Sequence, residues 1–206
     1  GFGRFVAVAK FDEKADWASE ARRYYLNIVG KYGPQVQALL KKAAALDIQT
    51  ICPLHGPVLQ GDLTPYLHLY NTWSSYQPET RGVFIAYASI YGNTKTAALL
   101  LAEELKSRGV TVEIADLSRT DLAQAVAKAF QYSQMVCAAP SYDGGVFPVM
   151  ADFLHHLKSK SYQNRCCCKC NGRSSKRCSI LRCIPCSKGQ SNQGWYNRSR
   201  QNDRKR

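Results

Sequence analysis

The sequence predicts an α/β fold in which parallel strands carry helices on both faces. Three observations lead there. From residue 83 to residue 157 the pattern alternates strand, helix, strand, helix, strand, helix, an order that parallel strands with crossover helices produce. The run 134–139, QMVCAA, is almost wholly apolar, as expected of a strand covered on both faces. The stretch 83–97, VFIAYASIYGNTKTA, passes from a strand-forming run through a hydroxylated turn straight into a helix.

That last stretch organises the rest. The first amides of a helix lack intrahelical partners, and the helix dipole favours an anion there. Gly92 lets backbone approach a ligand, and Ser89 and Thr94 add hydroxyl donors. The turn therefore reads either as a phosphate site or as a capped strand-to-helix turn without a ligand. It lacks the spacing of Walker A and of Gly-x-Gly-x-x-Gly.

The chain has 206 residues, room for one domain or for a domain plus a fragment. No apolar run approaches the length of a membrane span, and the opening GFGRFVAVAKFDEK lacks the build of a signal peptide. The opening also lacks a Met, and the chain is expected to be a piece of a longer protein. The formal net charge of +13 is unevenly placed: residues 164–206 hold 12 Lys and Arg against one Asp, and seven of the nine cysteines lie from Cys166 to Cys186. Residues 1–163 thus read as a near-neutral, reduced, cytoplasmic protein followed by a tail of different composition.

Taken in order, residues 19–29 predict a helix capped by Ser19 and stopped at Gly30. Pro34 suits the first turn of a second helix, in which Val36, Leu39, Leu40, Ala43 and Ala44 recur at the spacing of one buried face. A short strand over 47–51 ends in CPLHGP, which sets His55 in a turn between prolines. Such a His serves as a ligand or bonds to backbone, and spacing leaves both open. No partner cluster is visible, since His68, His155 and His156 fall in helical patterns and a metal site needs three or four ligands. A connecting helix covers 63–73. The polar SSYQPETRG that follows is the best boundary, with a strand starting at Gly82.

Beyond the hydroxylated loop, Ala98, Leu101, Ala102 and Leu105 give a helix face that Gly109 ends. A strand over 110–114 follows, then a helix with Leu122, Ala125, Val126, Ala129 and Phe130 inward, then the strand 134–139. The loop PSYDGGV, 140–146, leads to a helix with Met150, Leu154 and Leu157 on one side. Gly144 and Gly145 let amides approach a flat ring and Tyr142 could cover its face; the plain alternative is a Gly-rich turn with an exposed Tyr. Both loops fall beyond the C-terminal ends of the strands, where such sheets bind ligands.

Several segments in order, ARRYYLNIVGKYGPQVQALLKKA, ICPLHGPV, WSSYQPE, FIAYASIYGNT and APSYDGG, resemble the flavodiiron proteins over roughly residues 1–165. The resemblance implies a flavodoxin-like doubly wound parallel sheet, incomplete at its C-terminus, preceded by the C-terminal remnant of a metallo-β-lactamase-like αββα domain. It implies a division into 1–72 (metal-domain remnant), 73–81 (linker), 82–165 (partial FMN domain) and 166–206 (tail). Ser89, Ile90, Tyr91, Gly92, Asn93 and Thr94 match the family's phosphate loop for FMN. Pro140, Ser141, Tyr142, Asp143, Gly144 and Gly145 match the loop beside the flavin ring. His55 matches the last histidine ligand of the di-iron centre.

Family members reduce dioxygen or nitric oxide with electrons from a small redox carrier, rubredoxin-like or a flavin reductase, and form homodimers. The other expected iron ligand positions would lie upstream of Gly1, so a di-iron centre is not expected to assemble in this chain alone. The implied function is FMN-dependent electron transfer as part of a flavodiiron oxygen or nitric oxide reductase. The alternatives are a stand-alone FMN module without reductase activity, or a nonfunctional truncated product whose basic tail attracts nucleic acid. The tail itself admits three readings. One is a disordered or out-of-frame end. Another is a zinc knuckle on Cys168, Cys170, Cys183 and Cys186. The third is a basic arm with Trp195 or Tyr196 to stack on bases.

Overall fold

The computed structural model describes residues 17–162; the tail readings on 166–206 lie outside them. Helix α1 (Trp17–Ile28) runs through a 3₁₀ turn (Gly30–Tyr32) into α2 (Gly33–Ala43), which has Pro34 in its first turn. A hairpin of two short strands, β1 (Thr50–Ile51) and β2 (Leu59–Gln60), comes next, then α3 (Thr64–Ser74). The alternating half follows as β3 (Thr80–Tyr87), α4 (Asn93–Ser107), β4 (Val112–Asp116), α5 (Leu122–Gln131) and β5 (Tyr132–Ala138). A small hairpin, β6 (Ser141–Tyr142) and β7 (Gly145–Val146), leads into α6 (Pro148–Ser159).

The main sheet has the order β4-β3-β5 and both pairings are parallel. The predicted α/β class with a parallel sheet is therefore the observed one. Alternation along β3 sorts its side chains onto two faces. Phe84, Ala86 and Ala88 join Val126 and Phe130 of α5, Phe153 and Leu157 of α6, and Tyr25 and Leu26 of α1. Val83, Ile85 and Tyr87 pack with Ala98 and Ala102 of α4.

Element boundaries differ from the sequence pattern for local reasons. Strand β3 begins at Thr80, inside the predicted linker, because Thr80 pairs with Tyr132 and Glu79 N donates to Gln131 O at 3.0 Å. A register irregularity separates Thr80 from Val83. Gly82 sits within it, where a Cβ would lie 2.5 Å from Thr111 O, so the position admits no side chain. Strand β4 starts two residues later than expected. The amides of Gly109 and Val110 still close the end of α4 through Lys106 O and Leu105 O. Asp121 caps α5 by accepting from Gln124 N at 3.0 Å.

The larger departure concerns α2. The predicted buried face is only half-covered: Val36, Leu40 and Ala43 are partly buried and Leu39 is 63% exposed. These residues line a cavity of about 730 Å³ between α1, α2 and the β1–β2 hairpin, with Tyr24, Ile51 and Leu59 on its other walls. The periodicity correctly marked an apolar face, but no element among the described residues closes over it.

A buried ion pair ties this first part of the chain to the sheet. Arg22 on α1 grips Glu79 with two bonds: Nε to Oε1, and Nη2 to Oε2 at 2.6 Å. Trp73 Nε1 donates to the same Oε1 at 2.7 Å. The side chains of Arg22 and Glu79 are 8% and 14% exposed. Such a pair contributes little over an apolar replacement, but losing one partner leaves a buried charge. Arg22→Met is expected to cost about 3 kcal/mol in urea unfolding, and Arg22→Met with Glu79→Leu to recover only part of that loss, because Trp73 Nε1 then has no acceptor.

Candidate functional site

Because β3 is flanked by parallel neighbours on both sides, the segments leaving β3, β4 and β5 all emerge at one edge of the sheet. The exit of β3 is pinned on two sides: Leu117 N donates to Tyr87 O at 2.8 Å, and Ala88 N donates to Ala138 O at 2.9 Å. The chain then enters the loop 89–94. Ser89 Oγ accepts from Gly92 N at 3.0 Å, which leaves its own hydroxyl proton to donate elsewhere. Gly92 has φ +90° and a Cβ there would meet nothing within 4 Å, so its requirement is conformational rather than spatial. No side chain caps α4 at Gly92. Its first amides are thus without a capping side chain, on a loop that brings Ser89 and Thr94 hydroxyls near the same helix end. Ser89, Gly92 and Thr94 are half-buried, while Ile90, Tyr91 and Asn93 are exposed.

The second loop is an ordered hairpin rather than a plain Gly-rich turn. Asp143 (φ 48°) and Gly144 (φ 72°) are both left-handed, the backbone that a two-residue hairpin turn demands. Ser141 pairs with Val146 and Tyr142 with Gly145. Tyr142 is 54% exposed and its ring packs edge-on against Phe147 at 5.9 Å, which fixes the ring without covering its outer surface. Pro140 is half-buried at the foot of this hairpin. The loop residues named from sequence in 89–94 and 140–145 thus lie at one sheet edge.

Sequence reasoning missed Asp116, the last residue of β4. Its Oδ1 accepts from Ser118 N at 3.0 Å, and its carbonyl accepts from Arg119 N and Thr120 N at 3.0 and 2.8 Å. It is the register partner of Tyr87. Burial, and then the Asp116 carboxylate as charge and hydrogen-bond partner, push the Tyr87 phenol above its ordinary range. The signal available in the sequence was the Asp-x-Ser turn pattern in DLSRTD.

His55 stands apart from this edge. It is exposed in the turn between β1 and β2, at the rim of the apolar cavity, with its ring 5.7 Å from that of Tyr24. Among the described residues no three His, Cys, Asp or Glu side chains come together as a metal site would require. Among them, too, no helix is long and apolar enough to cross a membrane. The two described cysteines differ in character. Cys52 is exposed, whereas Cys137 points from β5 into the core and burial pushes its thiol up to about 12, which holds it as an inert thiol.

No protein-family model matches the chain. It is 27% identical over 148 residues to the rubredoxin-oxygen oxidoreductase of Megalodesulfovibrio gigas, covering 70% of this chain and 37% of that one. It is 38% identical over 104 residues to the diflavin flavoprotein A 3 of Synechocystis, covering 50% of this chain and 17% of that one. Among solved structures, the flavodiiron protein of Giardia intestinalis superposes with a TM-score of 0.69 at 22% identity, over 78% of this chain and 40% of that one. The sheet order and this superposition define a flavodoxin-like α/β protein. The chain is a relative of the flavodiiron proteins, as its motifs imply, and it spans about two fifths or less of the length of the proteins it matches.

Native alkylation with iodoacetamide at pH 8, read by peptide mass spectrometry, is expected to label Cys52 well before Cys137. Equal labelling would show that β5 does not bury its thiol.

Proposed function

We propose that this chain binds FMN and serves as the electron-transfer portion of a flavodiiron-type oxygen or nitric oxide reductase. The observation that carries this reading is that two loops leave the same sheet edge: the hydroxylated loop 89–94 on the uncapped end of α4, and the ordered 141–146 hairpin. Ser89, Gly92, Asn93 and Thr94 would hold the phosphate with hydroxyl and amide donors. Tyr142 and the open backbone at Gly144 and Gly145 would lie against the ring, with Ile90, Tyr91, Pro140, Ser141 and Asp143 shaping the rim. FMN, when bound, exchanges one or two electrons. The chain's part is to fix the phosphate and present the ring at the sheet edge.

The residues described do not fit a di-iron centre: His55 is the one family ligand position among them, and no ligand cluster surrounds it. That observation favours, as a second reading, an FMN module that acts as a reductase only when the remaining ligands are supplied. On either reading residues 1–72 descend from the metal domain, the predicted linker 73–81 shortens to the residues before β3 at Thr80, and the flavin domain follows. The donor would be a rubredoxin-type carrier or a flavin reductase, and the assembly a cytoplasmic homodimer.

Titration of the full chain with FMN, followed by quenching of flavin fluorescence, is expected to show saturable binding with no stoichiometric iron on the same sample. Thr94→Leu removes one hydroxyl donor and crowds the loop, and should weaken FMN about tenfold or more. An unchanged affinity would remove the loop from the site. Absence of binding by the unaltered chain would overturn the proposal.

A further inference from the structure

The edge that carries both loops also carries a carboxylate, and the charge makes its presence there unexpected. An anion site gains from nearby cations, yet the residue closing β4 beside the loop is Asp116, with Arg119 3.9 Å from its Oδ2 and itself 87% exposed. The loop 89–94 has no Lys or Arg of its own. The arrangement of bonds around Asp116 gives the reason. Its carboxylate accepts from Ser118 N, while its backbone carbonyl, which any residue would offer, accepts from the amides of Arg119 and Thr120. Its backbone leads directly into Leu117, whose amide bonds to Tyr87 O. Its side chain shares the sheet face of Tyr87, its register partner, because paired residues of parallel strands point the same way. Tyr87 is 6% exposed and stands two residues before Ser89, where the loop begins.

We propose that Asp116 is a positioning residue for the phosphate loop: it braces Tyr87 and the 116–120 turn, and through them fixes the point from which residues 89–94 depart. This rests on the FMN reading for its ligand, though not for its geometry. A loop that binds phosphate with neutral donors relies on their aim. Residues that lock the loop's departure supply that aim without touching the ligand. Asp116 reaches no substrate atom on this proposal, and its charge is spent on the turn and on Tyr87. An Asn at this position keeps an acceptor for Ser118 N and for the phenol, and so preserves the brace while removing the charge.

The test uses the full chain with FMN and with riboflavin, which lacks the phosphate. Asp116→Ala is expected to weaken FMN about five- to tenfold and to leave riboflavin within about twofold. Asp116→Asn should restore FMN binding, and Tyr87→Phe should reproduce part of the Ala loss. Equal losses for both flavins, an unchanged FMN affinity, or failure of Asn to rescue would each overturn the proposal. Amide hydrogen exchange over residues 88–95 in the ligand-free chain separates this inference from the FMN reading. If the unaltered chain binds neither flavin, that reading falls. Faster exchange in Asp116→Ala that Asn corrects would still support the brace, and unaltered exchange would reject it.

Discussion

The constraint on which the rest of the structure depends is the double parallel pairing of β3. A parallel strand cannot be joined to its neighbour by a tight turn. Each connection must cross back over the sheet, and here each does so as a helix. With neighbours on both edges and helices on both faces, β3 and its exit must be apolar from Val83 to Ala88, and these six residues are all buried. The same pairing forces the exits of β3, β4 and β5 to one side. The candidate site is thus a consequence of strand direction: the two loops share a sheet edge because three strands point the same way.

A second dependence runs through Glu79, just before β3. Its carboxylate collects two bonds from Arg22 and one from Trp73, so α1, the end of α3 and the start of the sheet converge on one charge. Tyr76 OH adds a bond to Gly30 O at 2.9 Å. Polar groups this buried must be nearly fully paired, and such pairing specifies geometry more than it adds stability. The apolar residues follow the same joint, since Tyr25 and Leu26 of α1 share a core with Phe84 and Phe130. The outer side of α1 and the exposed side of α2 instead border the cavity that bears His55 at its rim.

The alternating half was legible because its signals are local and redundant. Period-3.6 faces such as Ala98, Leu101, Ala102 and Leu105, apolar strands and glycine stops all point to one answer. The loop 89–94 was legible as chemistry because hydroxyls and a glycine at a strand-to-helix turn are few in kind and specific in use. The misplaced boundaries depended on bonds between distant residues, Thr80 with Tyr132 and Glu79 with Gln131, which no local pattern encodes. Asp116 was missed for a related reason. Its Asx-type turn is ordinary in sequence, and its importance comes only from register, which brings it beside Tyr87. The face of α2 shows the opposite limit. Periodicity reports that a face is apolar and is silent on what covers it.

The site's electrostatics follow from the same geometry. A cation beside the loop would attract phosphate of any kind, free or esterified, and would weaken as salt rises. Donors held on backbone and hydroxyls act at short range, so they discriminate by fit and are less sensitive to screening. The left-handed Gly92, the Ser89–Gly92 bond and the pinned exit of β3 each reduce the number of shapes the loop can take. A loop so restricted loses little conformational entropy on binding, which on the proposed reading favours an anion at the start of α4, where Lys95 follows the loop. The hairpin at 141–146 is held in a similar way: two left-handed residues and the Tyr142–Phe147 contact fix an aromatic edge that would otherwise swing free.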